Sequence, residues 1–217
     1  MYLEELNLEI LKLLHNNWNE VISLDLETQV EKRDDFLTDE YILGVSLACR
    51  KTSEMVSSDG VNVEVLILEE LSEDAELELL KKLNLWLGEH RSLGVIGYGL
   101  RGYDIPLLLK KLQKYRRKMN KPMWKIIDAL QQAAHVDLYA MLKTWYSVKN
   151  LRQAIESEVF EELPLRREKE LASDDFEQKG KDILRMWKRD RNAFIRYAEA
   201  DAFDTLLIAE HILKTRK

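Results

Sequence analysis

The chain has 217 residues, 46% of them hydrophobic, and a formal charge of −6, which suits one domain with a full core and excludes a disordered segment. The acidic balance excludes a generic basic nucleic-acid coat but not an enzyme that grips a few nucleotides at a cluster of metal-binding acids. A single cysteine, Cys49, excludes an internal disulfide and a cysteine-based zinc site, and no apolar run is long enough to span a bilayer.

The N-terminal "MYLEELNLEILKLLHNNW" reads as an acidic amphipathic helix without the basic start or cleavage site of a signal peptide. A cytoplasmic protein is expected, with a helical extension over 1–19 attached to a single domain spanning 1–217. "VISLDLETQ" follows as a strand, then the charged loop "QVEKRDDFLTDE". "YILGVSLACR" and "VNVEVLILEE" read as two strands joined by "KTSEMVSSDG", whose Asp-Gly end signals a turn; Cys49 is a small core residue of the first. "SEDAELELLKKLNLWLGEH" has leucines at helical spacing behind a serine and first-turn acids. "SLGVIGYGL" predicts a short buried strand, and "IPLLLKKLQKYRRKMN" a helix with Pro106 in its first turn. "PMWKIIDALQQA" is helical, "HVDLYAML" mixes strand and helix signals, and "NLRQAIES" is a short helix. The charge-dense stretch 156–182 reads as a surface connection or loose helix, and a last long helix runs over 189–214. Three strands, then helix, strand, helix, strand and helices predict a mixed α/β sheet with helices on its faces.

Three groups of acids stand out, each with a plain structural alternative. Asp25 and Glu27 lie two apart on the first strand, so their side chains share a face roughly 7 Å apart along it. They repel each other and resist burial, so something positive should lie between them; the alternative is a solvated strand end. Asp104, in "GYGLRGYDIPLL", can equally be a helix cap. Tyr197 and Asp201 share a helical face four residues apart, with Asp204 close to it; the alternative is a core aromatic and a surface acid. The basic stretch 110–125, with Tyr115 and Trp124 interleaved, is either a phosphate-tracking patch or a solvated helix face, and Trp187 reads as core. The four histidines carry no ligand spacing.

In combination, "SLDLET", "GYGLRGYDIPLL" and "YAEADAFDT", with "HVDLYAML" and "SVKNLRQAIESEVF" between the last two, resemble the ordered motifs of the DEDD superfamily of 3′–5′ exonucleases. The tyrosine in the third motif places the resemblance in the tyrosine branch, and most closely with the proofreading domain of family B DNA polymerases, over roughly 20–212. The resemblance implies a ribonuclease H-like mixed five-stranded sheet flanked by helices. It also implies Asp25, Glu27, Asp104 and Asp201 as ligands of two Mg²⁺ or Mn²⁺ ions, and it selects Asp201 over Asp204. Asp25 would bridge the ions, Glu27 and Asp201 would complete the site of the attacking water, Asp104 would serve the leaving 3′-oxygen, and Tyr197 would orient the water. Nucleic-acid 3′ ends, single-stranded DNA first and RNA second, are the expected partners, and nucleoside 5′-monophosphates the products. Thr28, Gly99, Tyr103, Lys110 and Lys111 are candidate substrate contacts. The chain departs from the pattern at Gly99, where the family carries asparagine, and at Tyr103, where it carries phenylalanine. No polymerase domain follows in the sequence, so any proofreading is expected to act in trans. A ribonuclease D-like RNA-trimming enzyme and a non-catalytic nuclease-fold interaction module are the alternatives.

Overall fold

The computed structural model describes residues 2–29, 40–55, 60–166 and 176–216. Strands β1 (Val21–Thr28), β2 (Ile42–Arg50), β3 (Val61–Ile67), β4 (Gly94–Gly97) and β5 (Ala134–Asp137) form one sheet in the order β3-β2-β1-β4-β5. The β1–β2 and β2–β3 pairs are antiparallel, whereas β1–β4 and β4–β5 are parallel. This is the mixed five-stranded, ribonuclease H-like α/β fold that the sequence predicts. The helices are α1 (Leu3–Leu14), α2 (Glu73–Glu89), α3 (Asp104–Tyr115), α4 (Trp124–Gln131), α5 (Leu138–Tyr146), α6 (Leu151–Ile155), α7 (Phe176–Arg189) and α8 (Arg191–Thr215).

The central strand decides where the acids go. Ile22, Leu24 and Leu26 of β1 pack into a core cluster with leucines of α2 and α3 and with Ile126 of α4. Val21 instead joins the cluster built from α1, α5 and the middle of α8. Side chains alternate along a strand, so Asp25 and Glu27 turn with Val21 toward the α8 side. The residues opposite them on β2 are small: Asp25 faces Ser46 and Glu27 faces Gly44. A Cβ at Gly44 would stand 2.9 Å from the Phe194 ring, so only glycine lets the start of α8 lie this close to the acids.

Both long helices start at side-chain caps: Ser72 accepts the Ala75 N–H at 3.2 Å before α2, and Asp190 accepts the Ala193 N–H at 2.9 Å before α8. "HVDLYAML" carries both signals because it holds both elements, β5 ending at Asp137 and α5 starting at Leu138. The N-terminal helix is no loose appendage, since Leu11, Leu14 and Trp18 are buried in the same cluster as α5 and α8. Trp18 also donates to Glu210 at 2.7 Å, which holds the buried Arg50 in a two-point ion pair at 2.7 and 2.6 Å. α7 begins within the stretch read as a surface connection or loose helix and continues past it, where Ile183, Leu184 and Trp187 form a narrow apolar stripe among many charges. The loop "QVEKRDDFLTDE", the turn "KTSEMVSSDG" and the middle of 156–182 fall largely or partly outside the described residues.

Candidate functional site

Asp25, Glu27 and Asp201 meet where β1 passes under α8. Each offers a carboxylate oxygen, and these oxygens all lie within 4.8 Å of one another. Glu27 and Asp201 are buried and Asp25 is half-buried. Three acids packed this closely in a desolvated place repel one another, and a bound cation is the ordinary remedy. An all-oxygen carboxylate donor set suits a hard divalent metal. Asp204 is not one of these three; its Oδ1 accepts the backbone N–H of Arg166 at 2.7 Å.

Asp104 opens α3 as its first residue and does not cap it; Tyr103 holds the cap position and makes no side-chain cap bond. The Asp104 carboxyl turns instead toward β1, where it accepts the backbone N–H of Leu26, the residue between Asp25 and Glu27. Complete burial pushes its pKa well above the ordinary carboxylate range, and the charges of Asp25 and Asp137 push it further. The Lys179 ammonium on α7 opposes that shift, which places a cation near the acids that sequence patterning does not single out.

Asp137 is the second residue the motifs pass over. One carboxylate oxygen accepts the N–H of Gly99 at 2.9 Å and of Tyr139 at 3.0 Å, and the other accepts the N–H of Arg101 at 3.1 Å. It thereby shapes the loop that delivers Asp104, and the aspartate of "HVDLY" just before a helical run is the signal that could have found it. Gly99 has φ +76°, where L-residues are strained, although a side chain there would meet open space. Gly99→Ala is expected to cost about 1–2 kcal/mol and Gly99→Asn less, because asparagine tolerates this region better; urea unfolding of both variants checks the order.

The remaining candidate contacts divide by burial. Tyr103 donates to Glu40 Oε2 at 2.7 Å, and Thr28 then donates to the Tyr103 oxygen. This clamp joins the end of β1 to the start of α3, that is, the strand of Glu27 to the helix of Asp104. Burial, with the Glu40 charge beside it, drives the Tyr103 phenol far above its usual range, so it stays protonated. Lys111 is 2% exposed, donates to the Glu40 carbonyl, and pairs with Glu76 at 2.7 Å. Its charge is engaged inside the fold, which corrects the expectation of a substrate contact at this position. Lys110 is exposed. In the same basic stretch Tyr115 is fully buried while Trp124 is 60% exposed, so only part of it can face a ligand.

Tyr197 lies one helical turn before Asp201 on α8 and is 1% exposed. Trp187 is core, as expected, with its indole N–H on the Leu68 carbonyl at 3.0 Å.

Sheet order and acid cluster together define a ribonuclease H-like domain with a carboxylate site able to hold metal. Among solved structures the chain is similar to the family B DNA polymerase from the hyperthermophilic archaeon Pyrobaculum calidifontis, with a TM-score of 0.61 and 17% identity. The match covers 89% of this chain and 24% of the polymerase chain, so the protein corresponds to a minor part of that molecule's length. No family model and no curated protein sequence matches. No helix among the described residues is long and apolar enough to cross a membrane.

Proposed function

We propose that the protein is a metal-dependent 3′–5′ exonuclease of the tyrosine branch of the DEDD superfamily, acting on single-stranded or frayed DNA 3′ ends. The observation that carries this reading is the convergence of Asp25, Glu27 and Asp201 within 4.8 Å. Asp104 beside them and Tyr197 one turn away support it. Two Mg²⁺ or Mn²⁺ ions would supply Lewis acidity and lower the pKa of the attacking water. Asp25, Glu27, Asp104 and Asp201 would hold the ions, with Asp25 as the ligand common to both. Glu27 and Asp201 would serve the side of the attacking water, and Asp104 that of the leaving 3′-oxygen. Tyr197 would orient the water through a hydrogen bond from its hydroxyl. Gly99 and Lys110 remain the candidate substrate contacts, while Thr28, Tyr103 and Lys111 hold the acids in register.

The deciding test incubates end-labelled single-stranded DNA, mismatched duplex and RNA with the protein and Mg²⁺ or Mn²⁺. Stepwise shortening from the 3′ end to 5′-mononucleotides is expected, faster on DNA; faster shortening of RNA would move the assignment to RNA trimming, and no shortening of any substrate would overturn the reading. Tyr197→Phe keeps the packed ring and loses the hydroxyl. Its single-turnover rate is expected to fall by about 10²-fold, the low end for proton-handling groups, with oligonucleotide affinity unchanged.

A further inference from the structure

β1, β4 and β5 are parallel, so the segments that follow them leave the sheet at one common end. The first carries the end of the Asp25–Glu27 strand, the second the loop to Asp104, and the third Leu138 and Tyr139. Neighbouring strands lie about 4.8 Å apart, which puts β5 about 10 Å from β1, within reach of a short nucleotide segment. Tyr139 is 38% exposed there, whereas Leu138 beside it is fully buried. The Tyr98 ring meets the Tyr139 ring edge-on, with centroids 5.7 Å apart and planes at 90°. The exposed Lys143 places its ammonium 5.4 Å from the Tyr139 ring centroid.

The backbone ties this patch to the acids. One oxygen of Asp137 holds both the Tyr139 and the Gly99 N–H groups, so the aromatic ring and the loop leading to Asp104 are set by a single carboxylate. We infer that Tyr139, braced by Tyr98 and accompanied by Lys143, is a stacking platform for a base of the single strand whose 3′ end lies at the acids. One flat ring with one cation fits a nucleobase and its phosphate, because stacking tolerates any base and the ammonium neutralises one backbone charge. A docked protein would need a contiguous apolar patch, and here the ring is bordered by charge.

This inference rests on the nuclease reading, and its test is separable from it. Fluorescence anisotropy of a labelled oligothymidylate in EDTA reads binding without catalysis. Tyr139→Ala is expected to weaken binding about 5- to 100-fold, and Tyr139→Phe to restore it. Lys143→Gln should flatten the dependence of affinity on salt by close to one phosphate contact, and thermal melting establishes that each variant is folded. Wild-type affinity in a folded Tyr139→Ala, or a Phe variant as weak as the Ala variant, would overturn the platform. Hydrolysis of the p-nitrophenyl ester of thymidine 5′-monophosphate by the unsubstituted chain with Mn²⁺ reports on the nuclease reading independently: no hydrolysis counts against that reading and leaves the anisotropy result to decide the platform.

Discussion

Asp25→Asn is expected to reduce 3′-end hydrolysis by on the order of 10³-fold or more, about 4 kcal/mol of transition-state stabilisation, while leaving the protein folded. The substitution keeps the side chain's size and removes one of the charges that meet within 4.8 Å. In metal-free buffer that removal relieves repulsion, so the variant should melt at or above the wild-type temperature; about 1 kcal/mol corresponds to a rise of about 2–4 °C at this chain length. Divalent metal should reverse the order. A cation that binds the folded site stabilises it by mass action, and Mg²⁺ or Mn²⁺ should raise the melting temperature of the wild type more than that of the variant. Full activity in a purified Asp25→Asn preparation would sink the metal-site assignment. An equal metal-induced shift in both proteins would place the cation elsewhere, and that outcome does not depend on the identity of the substrate.

The acids were legible only in combination, because each group had a plain structural alternative and the resemblance of their order to a known set of motifs singled them out. Their convergence was not, because it depends on β1 lying central in the sheet and on α8 crossing it. The choice between Asp201 and Asp204 shows the limit. Both are buried on α8; the motif resemblance selects Asp201, and in the structure Asp201 joins Asp25 and Glu27 within 4.8 Å while Asp204 accepts the Arg166 backbone N–H, a contact between residues 38 apart in sequence. Asp104 shows it again, since the local pattern of an aspartate before a proline-started helix favours a cap. The structure puts that carboxyl on the Leu26 N–H of a distant strand instead. α7 was left between a loose helix and a surface connection because three apolar residues in a heavily charged segment give too little contrast. Lys111 was misread for the converse reason. Within a run of lysines and arginines nothing local distinguishes the one that faces inward.

That inward lysine gives the largest expected effect on stability. Glu76 is fully buried and accepts from Lys111 Nζ at 2.7 and 2.9 Å, from the Ile42 N–H at 2.8 Å and from the Tyr115 hydroxyl. Glu76→Gln keeps the shape and much of the hydrogen bonding but strands the Lys111 charge in the core. Breaking a buried pair in this way costs about 3–5 kcal/mol at neutral pH, measurable by urea unfolding. The pH dependence has a definite sign. Burial lowers the Lys111 pKa, and Glu76 is the main influence opposing that shift, so the variant's lysine should titrate lower still. A lysine whose folded pKa lies below its unfolded value binds fewer protons folded than unfolded across that window. Stability therefore rises with pH there, and the variant should recover part of its loss as pH climbs toward about 10. Adding Lys111→Met to Glu76→Gln removes the stranded charge and should restore more than half of the loss at neutral pH. Because Lys111 also holds the Glu40 carbonyl, and Glu40 in turn accepts from Tyr103, the single variant should loosen the clamp between β1 and α3 and weaken metal binding. A Glu76→Gln protein as stable as wild type, with a flat pH profile up to 10, would mean that Lys111 reaches solvent and that its place in the interior support of the acids is wrong.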